Sequence, residues 1–479
     1  MTNQNPSKQA NFMASAMVAV SLIVCPSGIA SAQSQETAQA DTIAMVDFGQ
    51  SKGEIRALNG ANLGPPLAVQ ASGLNLNEPY KALKIPYARL HDVPLDNPGM
   101  RLVDIQHIFG NWEADASDPK NYYFDQTDDY IRNCIENGTD IIFRLGTSIE
   151  HSINNYYSHP PKDFEKWTEI CLNIIRHYNE GWANGHRWNI RYWEIWNEPN
   201  VKRKMWTGTM ADYYRLYVTS AKRIKSEFPD LKVGGPAFAG LSEKMVVPFI
   251  KHCREHEAPL DFLSWHFYGI STKAIISQPG QARKWLDKEG FHDTELHLNE
   301  WHYFPANFNK LNSDQKYRRN VFEGPDGCNG IDAAAFITAV LTGWQDTPLT
   351  MGNYYTATGI WGFGLFHVND GLPYKTYHGM LAFAKMLDHP LRVEAGSTDA
   401  SIKILAGENA SGAKAVLVTA FKSNAGRIVL DLKGVQGKDL KVLKLDREND
   451  LVPIQAEYKG GRVILDKPVG SCVFLVTVL

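Results

Sequence analysis

The sequence is poor in the usual carriers of cofactor and redox chemistry. It holds six cysteines in 479 residues, with no Cys-x-x-Cys and no metal-ligand spacing, so neither a disulfide framework nor a zinc motif is indicated. No Gly-x-Gly-x-x-Gly follows an early strand, and no nucleotide-binding glycine loop is present. No cofactor and no metal are therefore expected. The formal net charge is -3 and the pI about 6.6, which leaves no excess of either sign to attract nucleic acid or an anionic membrane. There is no internal repeat and no long linker. Only one apolar run stands out, Met13 to Ala30, and it is too short and too broken by Pro26 and Gly28 to make a good membrane span.

That run does have the layout of an export signal. A polar start with Lys8 precedes it, and the small residues Ala30-Ser31-Ala32 follow it. Residues 1–32 are expected to be a signal peptide cleaved after Ala32, sending the chain to a bacterial periplasm or beyond. An uncleaved anchor is the alternative. Cleavage removes Cys25. Cys134, Cys171 and Cys253 lie on apolar faces of helical patterns and are expected as buried thiols.

What the chain does have is aromatic side chains, 11% of residues with 12 Trp, which suit stacking on flat or apolar ligand faces. It also has alternation. Strand candidates at Leu58–Asn62, Tyr87–Leu90, Ile141–Leu145, Tyr192–Trp196, Lys232–Gly235, Phe262–His266, Glu295–Asn299 and Ile360–Phe366 are separated by helical patterns such as Asp128–Glu136 and Met210–Phe228. Eight β/α alternations predict a (β/α)8 TIM barrel over residues 58–389. Past Pro390 the helical period vanishes. Short strands such as "AKAVLVTAF" and "SCVFLVTVL" predict an all-β sandwich over 390–479, packed on the barrel as a buttress. The segment 33–57 contains "TIAMVDF", a possible added strand of that sandwich.

In such a barrel the C-terminal strand tips face the active-site mouth. The polar residues there are Arg89, His91 and Asp92 on strand two, and Glu150 and His151 after strand three. Strand four ends in Asn197 and Glu198, strand six in His266 and Tyr268, strand seven in Asn299 and Glu300, and strand eight in Trp361. Two of these make a pair: Glu198 in "YWEIWNEPN" and Glu300 in "LHLNEW", each behind an Asn at the end of an apolar strand. Glu194, lower on strand four, is expected to make a structural contact. Two carboxylates in one cavity suit glycosidic bond cleavage, one as proton donor and one as nucleophile or base. A gap of about 5–5.5 Å means retention of anomeric configuration and about 6.5–9.5 Å means inversion.

At these residues the sequence resembles the clan A retaining glycosidases, and within them glycoside hydrolase family 39, the β-xylosidase and α-L-iduronidase group. "WEIWNEPN" is the most specific motif, supported by "LHLNEW", "RLHD" and "GGPA". The resemblance implies Glu198 as general acid/base and Glu300 as nucleophile. It implies Asn197 beside the sugar 2-hydroxyl, Tyr268 and Arg89 steadying the nucleophile, His266 and His91 at sugar hydroxyls, and Trp361 flooring the sugar subsite. Asp92, Glu150 and His151 are further subsite candidates without a family match. The sequence departs from the xylosidase pattern at "WGFGLFHVNDG", where His367 and Asn369 stand in place of acidic residues, and at His-Asp on strand two. Those departures leave open arabinose, galactose-type sugars or uronic acids. The expected activity is a secreted retaining hydrolase taking terminal sugars from oligosaccharides or polysaccharides. The alternatives are an endo-glycanase and a non-catalytic carbohydrate-binding barrel. Sequence does not assign an oligomeric state.

Overall fold

The structure, a computed structural model, describes residues 41–68, 73–93, 101–360, 362–435 and 439–478. The expected signal peptide and Trp361 lie outside them.

The first strand, β1 (Thr42–Glu54), belongs to the C-terminal sheet. The next eight are β2 (Gly60–Asn62), β3 (Tyr87–Leu90), β4 (Asp140–Leu145), β5 (Tyr192–Ile195), β6 (Lys232–Phe238), β7 (Phe262–Gly269), β8 (Glu295–Tyr303) and β9 (Met351–Tyr354). They close in sequence order into a parallel barrel, with β9 pairing back onto β2. Their residues are buried on both faces, as helices outside and packed side chains inside require.

The helices between them start and stop on local chemistry. Asp163 caps the helix Phe164–Asn179 by accepting from the N–H groups of Glu165 and Lys166. Thr209 and Asp212 form a capping box on Met210–Glu227. The helix Asp125–Glu136 stops at Asn137, and Gly138 then takes φ +82°, a left-handed turn that glycine makes without steric cost.

The eighth barrel strand differs from expectation. It is Met351–Tyr354, not Ile360–Phe366. "MGNY" carries Gly and Asn, residues of low strand propensity, and is held by its neighbours β8 and β2. "IWGFGLF" is apolar but glycine-rich. In it Ile360 and Phe363 bridge in a tight turn over the mouth, with Gly362 at φ +90° and Gly364 at +141°.

The remaining strands are β10 (Leu391–Ser397), β11 (Ile402–Glu408), β12 (Lys414–Ser423), β13 (Arg427–Lys433), β14 (Leu440–Leu445), β15 (Asp450–Ile454), β16 (Glu457–Lys459), β17 (Arg462–Asp466) and β18 (Gly470–Val478). With β1 they form one curled, mostly antiparallel sheet of ten strands, in which β1 lies between β10 and β13. Period-two alternation gives it two jobs. Val416 and Val418 join Ala44, Val46, Ile404, Phe474 and Val476 in the sandwich's own core. Ala415 and Leu417 join the barrel core with residues of the helices Ile331–Gly343 and Lys375–Met386. On that same face the Thr419 hydroxyl reaches the Thr338 hydroxyl at 2.8 Å. The β-domain is therefore fixed to the barrel. The five cysteines among the described residues are free and buried, and no described helix is long and apolar enough to cross a membrane.

Candidate active site

The backbone past β5 is strained where it delivers Glu198. Trp196 and Glu198 both have positive φ, 69° and 45°, a region costing non-glycine residues about 1–3 kcal/mol. Backbone bonds hold them there: Trp196 N–H to the Leu145 carbonyl at 2.7 Å and Glu198 N–H to that of Ala237 at 3.0 Å. Pro199 follows at once and cannot extend the ladder.

On β8 the delivery is different. The register against β7 runs Trp265↔Leu298 and then His266↔Glu300, so Asn299 is a bulge. Strict alternation would send Asn299 and Glu300 to opposite faces. The bulge lets both point into the barrel. Asn299 donates to Glu194 in the layer below, while Glu300 faces the mouth.

Arg89 joins the two layers. It is fully buried at the tip of β3. Its Nε donates to Glu194 at 2.7 Å, Nη1 to Glu300 at 2.8 Å and to Asn62 at 3.1 Å, and Nη2 to Asn197 Oδ1 at 2.6 Å. Glu194 also accepts from the Ser264 hydroxyl at 2.7 Å, so its contacts are structural. Replacing Arg89 with Met strands two buried carboxylates. Removing one partner of such a pair costs about 3–5 kcal/mol, and denaturant unfolding should show a loss of that size. A loss under about 1 kcal/mol, the worth of an exposed pair, would contradict this network.

An oxygen of Glu198, an oxygen of Glu300 and a nitrogen of His266 lie within 4.8 Å of one another. His266 Nδ1 is 2.7 Å from Glu198 Oε1 and 3.4 Å from Glu300 Oε2, and Tyr268 donates its hydroxyl to Glu300 Oε2 at 2.8 Å. Burial pushes the Glu198 carboxyl up to about 8, against the lowering effect of Arg89. Burial pushes Glu300 up as well, opposed by His266 and Arg89. It also drives His266 down to about 4, so that imidazole is neutral at neutral pH. The side chain of Glu198 is 16% exposed and that of Glu300 7%. Glu198 is thus the carboxyl nearer to solvent and to a departing group. Both oxygens of Glu300 already accept from Arg89 or Tyr268, which favours an ionised carboxylate over a cation site.

His91 has a fixed tautomer. Arg144 Nε donates to its Nδ1 at 3.2 Å, which leaves Nε2–H as a donor, 3.4 Å from Asp92 and 3.9 Å from Glu300. Burial and the charges of Arg144 and Arg89 hold this histidine well below its usual range.

The cleft above the pair has a volume of about 1650 Å³, and His91, Asp92, His151, Glu198, Tyr268 and Glu300 line it. Arg89, Asn197 and His266 lie buried beneath. Glu150 is not part of it. Its carboxylate accepts from the backbone N–H groups of Tyr156, Tyr157 and Ser158 and from the hydroxyls of Ser152 and Ser158. That makes it the anchor of the loop after β4, a correction to its expected subsite role: the hydroxyls of Ser152 and Ser158 and the N–H groups of residues 156–158 satisfy the carboxylate locally.

Sequence reasoning missed Tyr355, just past β9, whose hydroxyl donates to Asp92 at 3.1 Å. The signal was "NYYT", overlooked because strand eight was sought later in the chain. It also missed that the β-domain reaches the cleft. Asp450, the first residue of β15, lines it beside Lys375, 2.6 Å away. Phe304, Phe322, Phe363 and Tyr355 form a small separate core that holds the loops after β8 and β9 over the mouth.

The family model for glycosyl hydrolases family 39 matches residues 75–424. The chain is 26% identical over 296 residues to a beta-xylosidase of Caldicellulosiruptor saccharolyticus, covering 58% of this chain and 56% of that one. It is 36% identical over 111 residues to a beta-xylosidase of Geobacillus stearothermophilus, covering 23% and 21%. These matches span about half and about a fifth of the relatives' lengths. Among solved structures, a glucosidase from Croceicoccus marinus superposes with TM-score 0.73 at 21% identity, covering 92% of this chain and 99% of that one. A monomeric beta-xylosidase from Caulobacter crescentus superposes with TM-score 0.70 at 17% identity, covering 92% and 99%. At those identities the likeness is one of fold.

Proposed function

This chain belongs to glycosyl hydrolases family 39, and on that premise we propose that it is an exported retaining exo-glycosidase, β-xylosidase-like, that removes terminal sugars from oligosaccharides. The observation that carries the reading is the approach of one Glu198 oxygen to within 4.8 Å of one Glu300 oxygen, with His266 Nδ1 2.7 Å from the first residue and 3.4 Å from the second. An approach that close fits the spacing of about 5–5.5 Å used in retention better than the about 6.5–9.5 Å used in inversion, and suits direct attack.

In the first step a Glu300 oxygen attacks the anomeric carbon while Glu198 gives its proton to the departing glycosidic oxygen. The result is a glycosyl ester on Glu300 and a free alcohol. Ester formation removes the negative charge of Glu300, so the pKa of Glu198 falls. Glu198 then takes a proton from water, whose oxygen attacks the same carbon and frees Glu300. Arg89 and Tyr268 hold Glu300 in line. Asn197, with its Oδ1 engaged by Arg89, keeps its amide N–H groups for a sugar hydroxyl, and His91 offers Nε2–H. The aromatic walls Tyr268, Phe304 and Phe363 supply stacking faces.

Terminal action is supported by the walls built after β8 and β9. A second reading, internal cleavage, is favoured by the cleft volume of about 1650 Å³, above the roughly 300–1,000 Å³ common for small-molecule pockets. The sugar is tested with aryl β-xyloside, α-arabinoside, β-galactoside and β-glucuronide, following the first-formed anomer by NMR. Retained configuration is expected on the cleaved glycoside. An inverted first product would overturn the mechanism. Release of long fragments first from a xylo-oligomer would favour the internal reading.

A further inference from the structure

Away from the cleft, three segments meet at Asp128, His177 and His186. Asp128 is in the first turn of the helix Asp125–Glu136, and His177 is in the last turn of the helix Phe164–Asn179. His186 sits in the loop that follows. One ligand atom from each lies within 4.8 Å of the others. His177 Nε2 is 3.1 and 3.2 Å from the two Asp128 oxygens, and His186 Nε2 is 3.0 Å from Oδ2.

The other nitrogen of His177 decides what this means. Nδ1 is 2.9 Å from the Trp182 carbonyl oxygen, which can only accept, so Nδ1 carries the proton. With Nδ1 so engaged, Nε2 is the atom left facing both oxygens of the Asp128 carboxylate, beside Nε2 of His186. The carbonyl partner on Nδ1 is also the outer-shell arrangement that metal-ligating histidines use. Both rings are held by stacking. His177 lies on Phe124 with centroids 3.5 Å apart and planes at 5°, and His186 on Trp188 at 3.8 Å and 2°. A tetrahedral zinc with ligands at about 2.0–2.2 Å has neighbouring ligand atoms about 3.3 Å apart. The spacings of 3.0–3.2 Å here need little adjustment.

We propose that Asp128, His177 and His186 form a structural site for a divalent cation of zinc type. The ion ties two barrel helices to the following loop, and water fills its fourth position on the side where His186 is 21% exposed. A second cluster, His252, Glu255 and His256, lies at the end of the helix Glu243–Glu255. His256 is exposed and His252 half-buried; because a histidine pair at i, i+4 on a helix is a general metal-chelating arrangement, the test is run in a His256→Ala background.

The full chain, stripped with chelator, is titrated with zinc chloride at pH 7.5 by calorimetry, and its thermal midpoint is recorded with and without zinc. One equivalent of micromolar or tighter zinc and a raised midpoint are expected. Adding His186→Ala or Asp128→Asn should weaken binding by more than about 100-fold, since losing even an outer partner of a ligand costs about 10–100-fold. No zinc uptake in the His256→Ala chain, or uptake unchanged by His186→Ala, would overturn the site. Should the added variants fail to fold, cobalt(II) added to the His256→Ala chain decides it. Strong visible d–d bands of a four-coordinate ion support the site, and the weak spectrum of the aquo ion refutes it.

Discussion

Replacing Glu300 with Ala is expected to lower kcat on every glycoside by on the order of 10⁴–10⁶-fold, because a nucleophile's loss removes the covalent route entirely. The fold should survive, since Arg89 keeps Glu194 as a carboxylate partner at 2.6 Å. The vacated space lies over the anomeric carbon on the side that Glu300 attacks. Azide added to the variant should enter it, restore turnover of activated aryl glycosides and yield a glycosyl azide of inverted configuration. A rate within about tenfold of the parent would remove Glu300 from the nucleophile's role. An azide product of retained configuration would do the same. If the parent chain bound glycans tightly but released no sugar, the non-catalytic barrel would be the better reading.

Replacing Glu198 with Ala should split substrates by leaving group. General acid help is worth about 10²–10⁴-fold. That loss is expected on natural linkages, whose alkoxide leaves poorly, while aryl glycosides with acidic phenols should keep near-parent first steps. Equal losses on both would argue against Glu198 as the acid. The pH profile gives an independent check. Glu198 must be protonated to donate, and burial pushes its pKa up to about 8. The kcat/KM of the parent should therefore hold below that value and fall as pH rises through it. On the acid side activity should fall as Glu300, which must be ionised, takes up a proton. Glu198→Ala should abolish the alkaline limb on activated substrates and leave the acid limb in place.

The pair Glu198 and Glu300 was legible because each sits at the end of an apolar run, and strand tips in a parallel barrel share one mouth. Glu194 was legible as structural for the related reason that it lies lower on its strand. Trp361 lies outside the described residues. Other features were hidden by contacts distant in sequence. Glu150 looked like a mouth acid but is consumed by the backbone of residues 156–158. The eighth strand was hidden because "MGNY" has poor strand propensity and forms only between β8 and β2. Tyr355 was hidden with it. Asn299 and Glu300 both point inward only because of a bulge, which no alternation pattern signals.

The sequence by itself determined the barrel, the β-domain and the identity of the two paired acids. Those follow from local periodicity and from the chemistry of residues a few positions apart. Only the tertiary structure decided how far apart the acids stand, which carboxyl is pushed up to about 8, that Arg89 bridges two layers, and that Asp450 reaches the cleft from the β-domain. Distance and burial depend on side chains brought together from strands that lie about a hundred residues apart in the chain, and a charge's energy is set by the medium and partners around it, not by its neighbours in sequence.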